Sequence, residues 1–446
     1  MKLPPGPGVM RSAEAPAAIA RDGLPAYLRR LSQRYGPISS FRLGVAPVVF
    51  VDDAALIEQI LVTQQHAFRR DFGAAIARDL LGEGLLTTED PLHLARRRLM
   101  QPAFHRAKVA SYADTIVREA ERIASVWNGL LALDIGTEMT KLTLGVVGDT
   151  LFGADVRSSA AAVAAVLGRS ARRGRSFGLL LLLLAPLLAK FPRRGSHASL
   201  FFARERAELE RIVAPIVERR RAEGGGGNDL LSLLLGARDE GGGGLDDTAL
   251  LSEVVTLVLA GHETTSNALT WAWLLLAQHP PVEQRLHAEL DAVLGERAPA
   301  FADVARLSYT ANVFAEAMRL YPPAPAFARR PLRPVELGGY TIAAGTSIYV
   351  SPYVTQRNPR YFEEPDAFMP ERWEHGRRPK FAYFPFGGGS KMCIGESFAQ
   401  LEGVLVLATL ARRYALRAAA VLSTAPLLQG ITRPERPVLL RPDARA

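Results

Sequence analysis

Cys393 is the only cysteine in 446 residues, and it stands inside "FPFGGGSKMCIG", Phe384–Gly395. A lone cysteine is more often an inert core residue, but a core thiol needs no such company. Consecutive glycines let the backbone turn tightly and aim N–H groups at one point, an anion-binding nest. The following "IGESFAQLEGVLVLATLARRYA" has a helical pattern, so the cysteine is predicted at a helix N-terminus, where the dipole favours negative charge. The thiolate is the form of cysteine that binds metal. Gly389 and Gly395 would keep side chains off whatever lies on the sulfur, a clearance that a flat, bulky group requires.

A second pattern is "AGHETT", Ala260–Thr265, an acid and an alcohol inside an otherwise apolar run. A buried carboxylate is costly and needs a reason. Either the threonine hydroxyl bonds back to a helix carbonyl and bends the helix, or the helix opens locally, holds water and passes protons to a bound ligand. Ala260 and Gly261 would leave room for a flat cofactor or ligand against the helix.

A third is "EAMRLYPP", in which Glu316 and Arg319 lie on one helical face. Such a pair is usually a surface feature of little weight. Arg372 in "MPERW" could complete a buried Glu–Arg–Arg cluster.

The elements that must position these groups are mostly helical. "PAYLRRLSQRYG" reads as a helix ending at Gly36, and "ISSFRLGVAPVVFVDD" as a hairpin around Gly44–Pro47. Helices fill most of Asp53–Gly153 and Ser199–Glu223. "DDTALLSEVVTLVLAGHETTSNALTWAWLLLAQHP" predicts one buried helix, capped by Asp246 or Asp247 and stopped by Pro280–Pro281. Its roughly 33 residues span about 50 Å. A second β region is expected near "RRPLRPVELGGYTIAAGTSIYVSPY". Glycine runs at Gly224–Gly227 and Gly241–Gly244 read as loops around one short helix. The class is mainly α with minor β, and with no linker or repeat residues 1–446 read as one domain.

One cysteine rules out an internal disulfide and an all-cysteine metal site, and fits a reducing cytoplasm. The formal charge of +9 suggests an acidic partner. No helix-turn-helix, zinc-finger or RNP pattern supports nucleic acid. The start "MKLPPGPGVM" has prolines where an export signal needs an apolar run. "FGLLLLLLAPLLAKF", Phe177–Phe191, is too short to span a bilayer. A buried helix fits it, as does a surface helix that dips into a membrane or lines the mouth of an apolar pocket.

Together the three motifs resemble the cytochrome P450 haem-thiolate monooxygenases, over about Pro4 to Pro442. The family's haem loop looks like Phe-x-x-Gly-x-basic-x-Cys-x-Gly, matched by Phe386, Gly389, Lys391, Cys393 and Gly395, with lysine where arginine or histidine is more usual. The resemblance implies haem b (iron protoporphyrin IX) with Cys393 as axial iron ligand. It makes Glu263 and Thr264 the pair that delivers protons for dioxygen activation, and Glu316, Arg319 and Arg372 a structural triad. "HLARR" resembles the helix that holds one haem propionate, through His93 and Arg97. Arg329 matches the arginine for the other propionate, with Arg330 beside it as the alternative.

The implied reaction inserts one oxygen atom into a C–H or double bond of a hydrophobic substrate: a fatty acid, terpenoid, steroid or polyketide. Pocket candidates by resemblance are Phe68, Phe72, Ile76, Leu86, Phe177 and Leu259, with Ala260, Ala326, Phe327, Leu428 and Ile431. For any single one of them, plain core is the commoner role. No flavin or nicotinamide segment follows, so electrons are expected from a separate acidic ferredoxin or flavodoxin with its reductase. Arg96, Arg98, Arg106, Lys108, Arg377, Arg378 and Lys380 would steer that partner. A soluble, cytoplasmic, bacterial enzyme without a stable membrane anchor is expected. A peroxygenase or rearranging enzyme that needs no reductase, and a non-catalytic haem sensor, are the competing functions; the retained Glu263–Thr264 pair argues against both.

Overall fold

The computed structural model describes residues 3–8, 14–44, 46–157, 199–224, 226–227, 229–237 and 244–445, together with 162–163, 165–166, 168–170 and 173. The apolar stretch Phe177–Phe191 and most of the second glycine run lie outside the described residues.

The longer helices are α1 (Ala15–Asp22), α2 (Leu24–Tyr35), α3 (Phe72–Leu81), α4 (Leu92–Met100), α5 (Ala113–Ala124) and α6 (Ile135–Val147). They continue as α7 (Ser199–Ala222), α8 (Leu230–Gly236), α9 (Asp247–Gln278), α10 (Pro280–Leu294), α11 (Ser308–Leu320) and α12 (Glu396–Arg413). Expected boundaries recur. Gly36 ends α2 with φ 94°, a conformation costly for any residue with a Cβ. Asp246 caps α9 by accepting the Ala249 N–H at 2.7 Å.

The long helix α9 is the axis of the principal hydrophobic core, which draws side chains from α5, α6, α10, α11 and α12. Trp271 and Trp273 lie fully inside it. A Cβ on Gly261 would come within 2.9 Å of Val147 Cγ2, so that glycine exists to let α6 pack close. It does not provide clearance for a cofactor, as the sequence suggested.

The strands are β1 (Ile38–Leu43), β2 (Ala46–Val51), β3 (Phe68–Arg70), β4 (Leu133–Asp134), β5 (Phe327–Pro331) and β6 (Val335–Leu337). After them come β7 (Tyr340–Ile342), β8 (Ser347–Val350), β9 (Tyr414–Ala418), β10 (Pro426–Gln429), β11 (Ile431–Pro434) and β12 (Leu439–Ala444). The N-terminal hairpin and the later β region, read separately in the sequence, join in one sheet of order β1-β2-β8-β5-β3. The β2–β8 pairing is parallel and makes the join. Edge strand β3 runs antiparallel to β5, with Arg70 opposite Arg329.

Candidate active site

The Cys393 N–H donates to Phe386 O at 3.0 Å and closes the loop before α12. Gly389 has φ 68°, and a Cβ there would lie 1.8 Å from the Leu61 carbonyl oxygen. Its lack of a side chain lets the loop press against the π-turn Gln59–Thr63, and just beyond that turn Gln65 Oε1 accepts the Ser390 N–H at 2.6 Å. Gly395 is the glycine beside the sulfur: a Cβ there would sit 3.9 Å from Cys393 Sγ. The sequence assigned clearance over the sulfur to both glycines, and only Gly395 has it.

Cys393 is exposed although protein surrounds it. Burial pushes its thiol pKa up, and the Gly395 N–H and the nearby Arg97 only partly oppose this.

Basic side chains lie at this loop (Arg97, His93 and Lys391) and on the paired strands β3 and β5 (Arg70, Arg329 and Arg330). Arg97 donates to Met392 O at 2.6 Å. His93 is buried, and its pKa falls to about 4 through burial and the charges of Lys391 and Arg70. Its Nδ1 lies 3.3 Å from Asp90 Oδ1, without hydrogen-bond geometry. Arg329 is pushed down to about 10 by burial and by Arg70, and its one hydrogen bond among the described residues is to Ala328 O. Arg330 is paired with Asp71, whereas the acid acting on Arg329 is Glu89, which forms no ion pair with it among the described residues. Lys391 binds Asp90 Oδ1 at 2.7 Å, an acid partner the sequence reading had not given it. Arg70, which that reading missed, donates to Thr88 O. Two arginines opposed across antiparallel strands repel one another unless an anion lies between them.

On α9, Ala260 is exposed and the Thr264 hydroxyl donates to Ala260 O at 2.8 Å. The helix is unbroken here, so the local opening entertained from sequence is not formed. Burial pushes the Glu263 carboxyl pKa up, with Arg433 opposing.

The Glu–Arg–Arg cluster is buried. Glu316 accepts two bonds from Arg319, each 2.8 Å, and one from Arg372 at 2.8 Å. The Trp373 indole and the Met369 N–H complete it, and Arg319 also reaches the carbonyls of Gln356, Pro365 and Ala367. This pair is no surface feature.

The pocket candidates divide. Phe68, Leu259 and Leu428 are packed into the hydrophobic cores and offer little surface to a ligand. Leu86 is 49% exposed, and Ala326, Phe327 and Ile431 are half-buried. Phe72 and Ile76 fall on α3, whose first side chains lie outside the described residues, as does Phe177. Among the partner-steering candidates, Arg98, Arg106, Arg377 and Lys380 are exposed, and Lys108 is half-buried. Arg378 stacks on Phe362 and Trp373. Arg96 cannot belong to that surface: it is buried and paired with Glu253.

Fold and site together are those of a haem-thiolate oxygenase. The family model described as Cytochrome P450 matches residues 4–441, and the chain belongs to that family. It is 38% identical to cyclooctatin synthase of Streptomyces melanosporofaciens, over 86% of this chain and 83% of that protein. It is 36% identical to cyclooctat-9-en-7-ol 5-monooxygenase of the same organism, with the same coverage of each. Pentalenene oxygenase of Streptomyces avermitilis is 31% identical over 84% of this chain and 83% of its own. The family uses dioxygen and a redox partner and acts on hydrophobic substrates.

The residues present fit the family's haem. A solvent-accessible thiol stands at a helix start beside a glycine. The opposed Arg70 and Arg329 suit a carboxylate, and Arg97 stands by the same loop. Among the described residues, no helix is long and apolar enough to cross a membrane.

Proposed function

We propose that this protein is a haem b monooxygenase acting on a terpenoid hydrocarbon or alcohol, with electrons from a separate acidic ferredoxin or flavodoxin. Residues 1–446 are read as one cytoplasmic domain. The observation that carries the reading is the exposed Cys393 beside Gly395 at a helix start, with Arg97 bonded to the neighbouring Met392 carbonyl. The substrate class rests on the relatives named for cyclooctatin, cyclooctat-9-en-7-ol and pentalenene. Accessible Leu86, Phe327 and Ile431, with Ala260, are in keeping with an apolar ligand.

Cys393 would hold the iron, Phe386 O and Gly395 would fix its loop, and Arg97, Arg329 and Arg70 would take the propionates with His93 neutral beside them. Lys391 acts through Asp90, which lies beside His93. When bound, the haem supplies the redox chemistry, and the thiolate's electron donation favours O–O cleavage. Overall, dioxygen, two electrons, two protons and R–H give R–OH and water. Burial pushes the Glu263 carboxyl pKa up, with Arg433 opposing, which favours a proton on this group. The Thr264 hydroxyl spends its hydrogen on Ala260 O and so presents lone pairs to water.

The test is the carbon monoxide difference spectrum of the reduced protein, then product formation with NAD(P)H, a ferredoxin and its reductase on a panel of di- and sesquiterpenes. The thiolate-type Soret band should be lost in Cys393→Ser. A band that persists there would overturn the ligand assignment. Equal turnover with hydrogen peroxide alone would favour a peroxygenase.

A further inference from the structure

Glu253 is buried at 0% exposure on α9, two turns before Ala260, and the reaction scheme above makes no use of it. Its Oε1 accepts from Arg96 Nη1 of α4 at 2.9 Å. Its Oε2 accepts the Leu85 backbone N–H at 2.9 Å. One carboxylate therefore ties the long helix both to the loop Gly82–Thr88 and to the helix that carries His93 and Arg97.

The loop is shaped to lie on that helix. A Cβ on Gly82 would fall 2.2 Å from Ser252 Oγ, and one on Gly84 would fall 2.3 Å from Thr256 Oγ1. The loop backbone thus presses on Ser252 and Thr256 while Glu253 takes its N–H. Within the loop, the Thr87 hydroxyl donates to Gly82 O at 2.6 Å and the Thr88 hydroxyl to Gly84 O at 3.0 Å. Its far end is held by Arg78, which donates to Thr87 O at 2.8 Å, and by Arg70 at Thr88 O. Leu86, 49% exposed, projects from this tied segment. Glu253, Thr256 and Ala260 recur at helical spacing on one stripe of α9, so the loop covers the same stripe that ends at the exposed Ala260.

We propose that Glu253 is a positioning residue for substrate selection. It fixes how closely the loop bearing Leu86 sits over α9, and so how large a ligand fits beside Ala260. A buried ion pair is weak evidence of net stability, because both charges are desolvated. Here it sets a register between three segments. The inference rests on the haem-enzyme reading above.

The test uses the haem-loaded protein, with imidazole as a small iron-binding probe and 4-phenylimidazole as a bulky one. Glu253→Gln keeps an oxygen for Leu85 N–H but loses the charge facing Arg96. Gly84→Ala pushes the loop off the helix and leaves the ion pair alone. In both variants the dissociation constant for 4-phenylimidazole, divided by that for imidazole, should fall, by about tenfold in Glu253→Gln, the lower end of what losing a buried charged hydrogen bond carries. Amide hydrogen exchange over residues 82–88 should quicken in both. Adding Thr256→Ala to Gly84→Ala should restore part of the ratio by removing the obstructing hydroxyl. If Glu253→Gln does not fold, Gly84→Ala and its partial rescue decide. A ratio unchanged in the folded variants overturns the positioning role. Wild-type protein that gives no spectral response to imidazole and no thiolate-type carbonyl band refutes the haem reading itself and takes this proposal with it.

Discussion

Arg70 and Arg329 stand directly opposite one another on antiparallel strands β3 and β5; burial and the Arg70 charge lower the pKa of Arg329, while burial and the charges of Arg78 and Arg97 lower that of Arg70, with Glu89 and Asp90 opposing. Like charges so placed weaken a sheet by a few tenths to about 1 kcal/mol. Glu89 faces both, but its side chain bonds the Arg70 N–H rather than either guanidinium. A cofactor carboxylate would turn the repulsion into attraction.

Arg329→Met should therefore have opposite effects on the two forms. The haem-free protein should melt at the same temperature or slightly higher, since one of two repelling charges is gone. The loaded protein should lose haem faster by roughly 10- to 100-fold, the scale of a charge-assisted hydrogen bond of about 1.5–3 kcal/mol. Thermal melts of both forms and haem transfer to an acceptor protein supply the comparison. Arg330→Met, which breaks the Asp71 pair instead, should not reproduce the split.

Glu316→Ala should yield mostly insoluble or haem-free protein. The carboxylate is fully buried and neutralises Arg319 and Arg372, so removing it strands two cations. The cost is on the order of 3–5 kcal/mol. Arg319 would keep its carbonyl partners, so Glu316→Gln, which can still accept, should be milder. The soluble yield and melting temperature of the two variants test this ranking.

The site was legible where its signal is local. The glycines around Cys393, the Glu316–Arg319 spacing and the Asp246 cap lie within a few residues of what they act on. The Arg70–Arg329 contact was not, because it depends on the register between strands far apart in the chain. Arg96 was assigned to the surface, yet His93, Arg96 and Met100 form the buried stripe of α4, and that i, i+3, i+7 periodicity was available to find it. Gly261 misled for another reason. A small residue on a helix permits close approach by anything, and the partner here is Val147.

Acid should destabilise the fold through His287. Its Nε2 is buried without a partner among the described residues, and burial and the charges of Arg445 and Arg417 depress its pKa to about 4, with Asp291 opposing. The unfolded chain then binds the proton more tightly than the folded one. Stability from this group is complete above the ordinary histidine value of 6.5 and is lost as pH falls through about 4. Melting temperature should decline across that window, and His287→Gln should flatten the decline. A parallel decline in the variant would assign it to other groups, His93 among them.

The hydroxyl of Thr264 decides between an oxygenase and its competitors. It is no metal ligand, and its donated bond ends on Ala260 O within the same helix. Alanine is the residue a helix accommodates best, so Thr264→Ala should fold and load haem normally. What it removes is a polar group able to bond a water beside Glu263, whose half-buried carboxyl has its pKa pushed up. Proton supply should become misdirected while electron supply continues. NAD(P)H consumption should persist, product should fall by up to about a hundredfold, the scale of a general-acid contribution, and hydrogen peroxide should rise. Product formed per NAD(P)H consumed is the quantity to measure, with peroxide measured alongside. An unchanged ratio would reduce Thr264 to a residue that merely bonds its own helix, and the case against a peroxygenase or a sensor would lose its support.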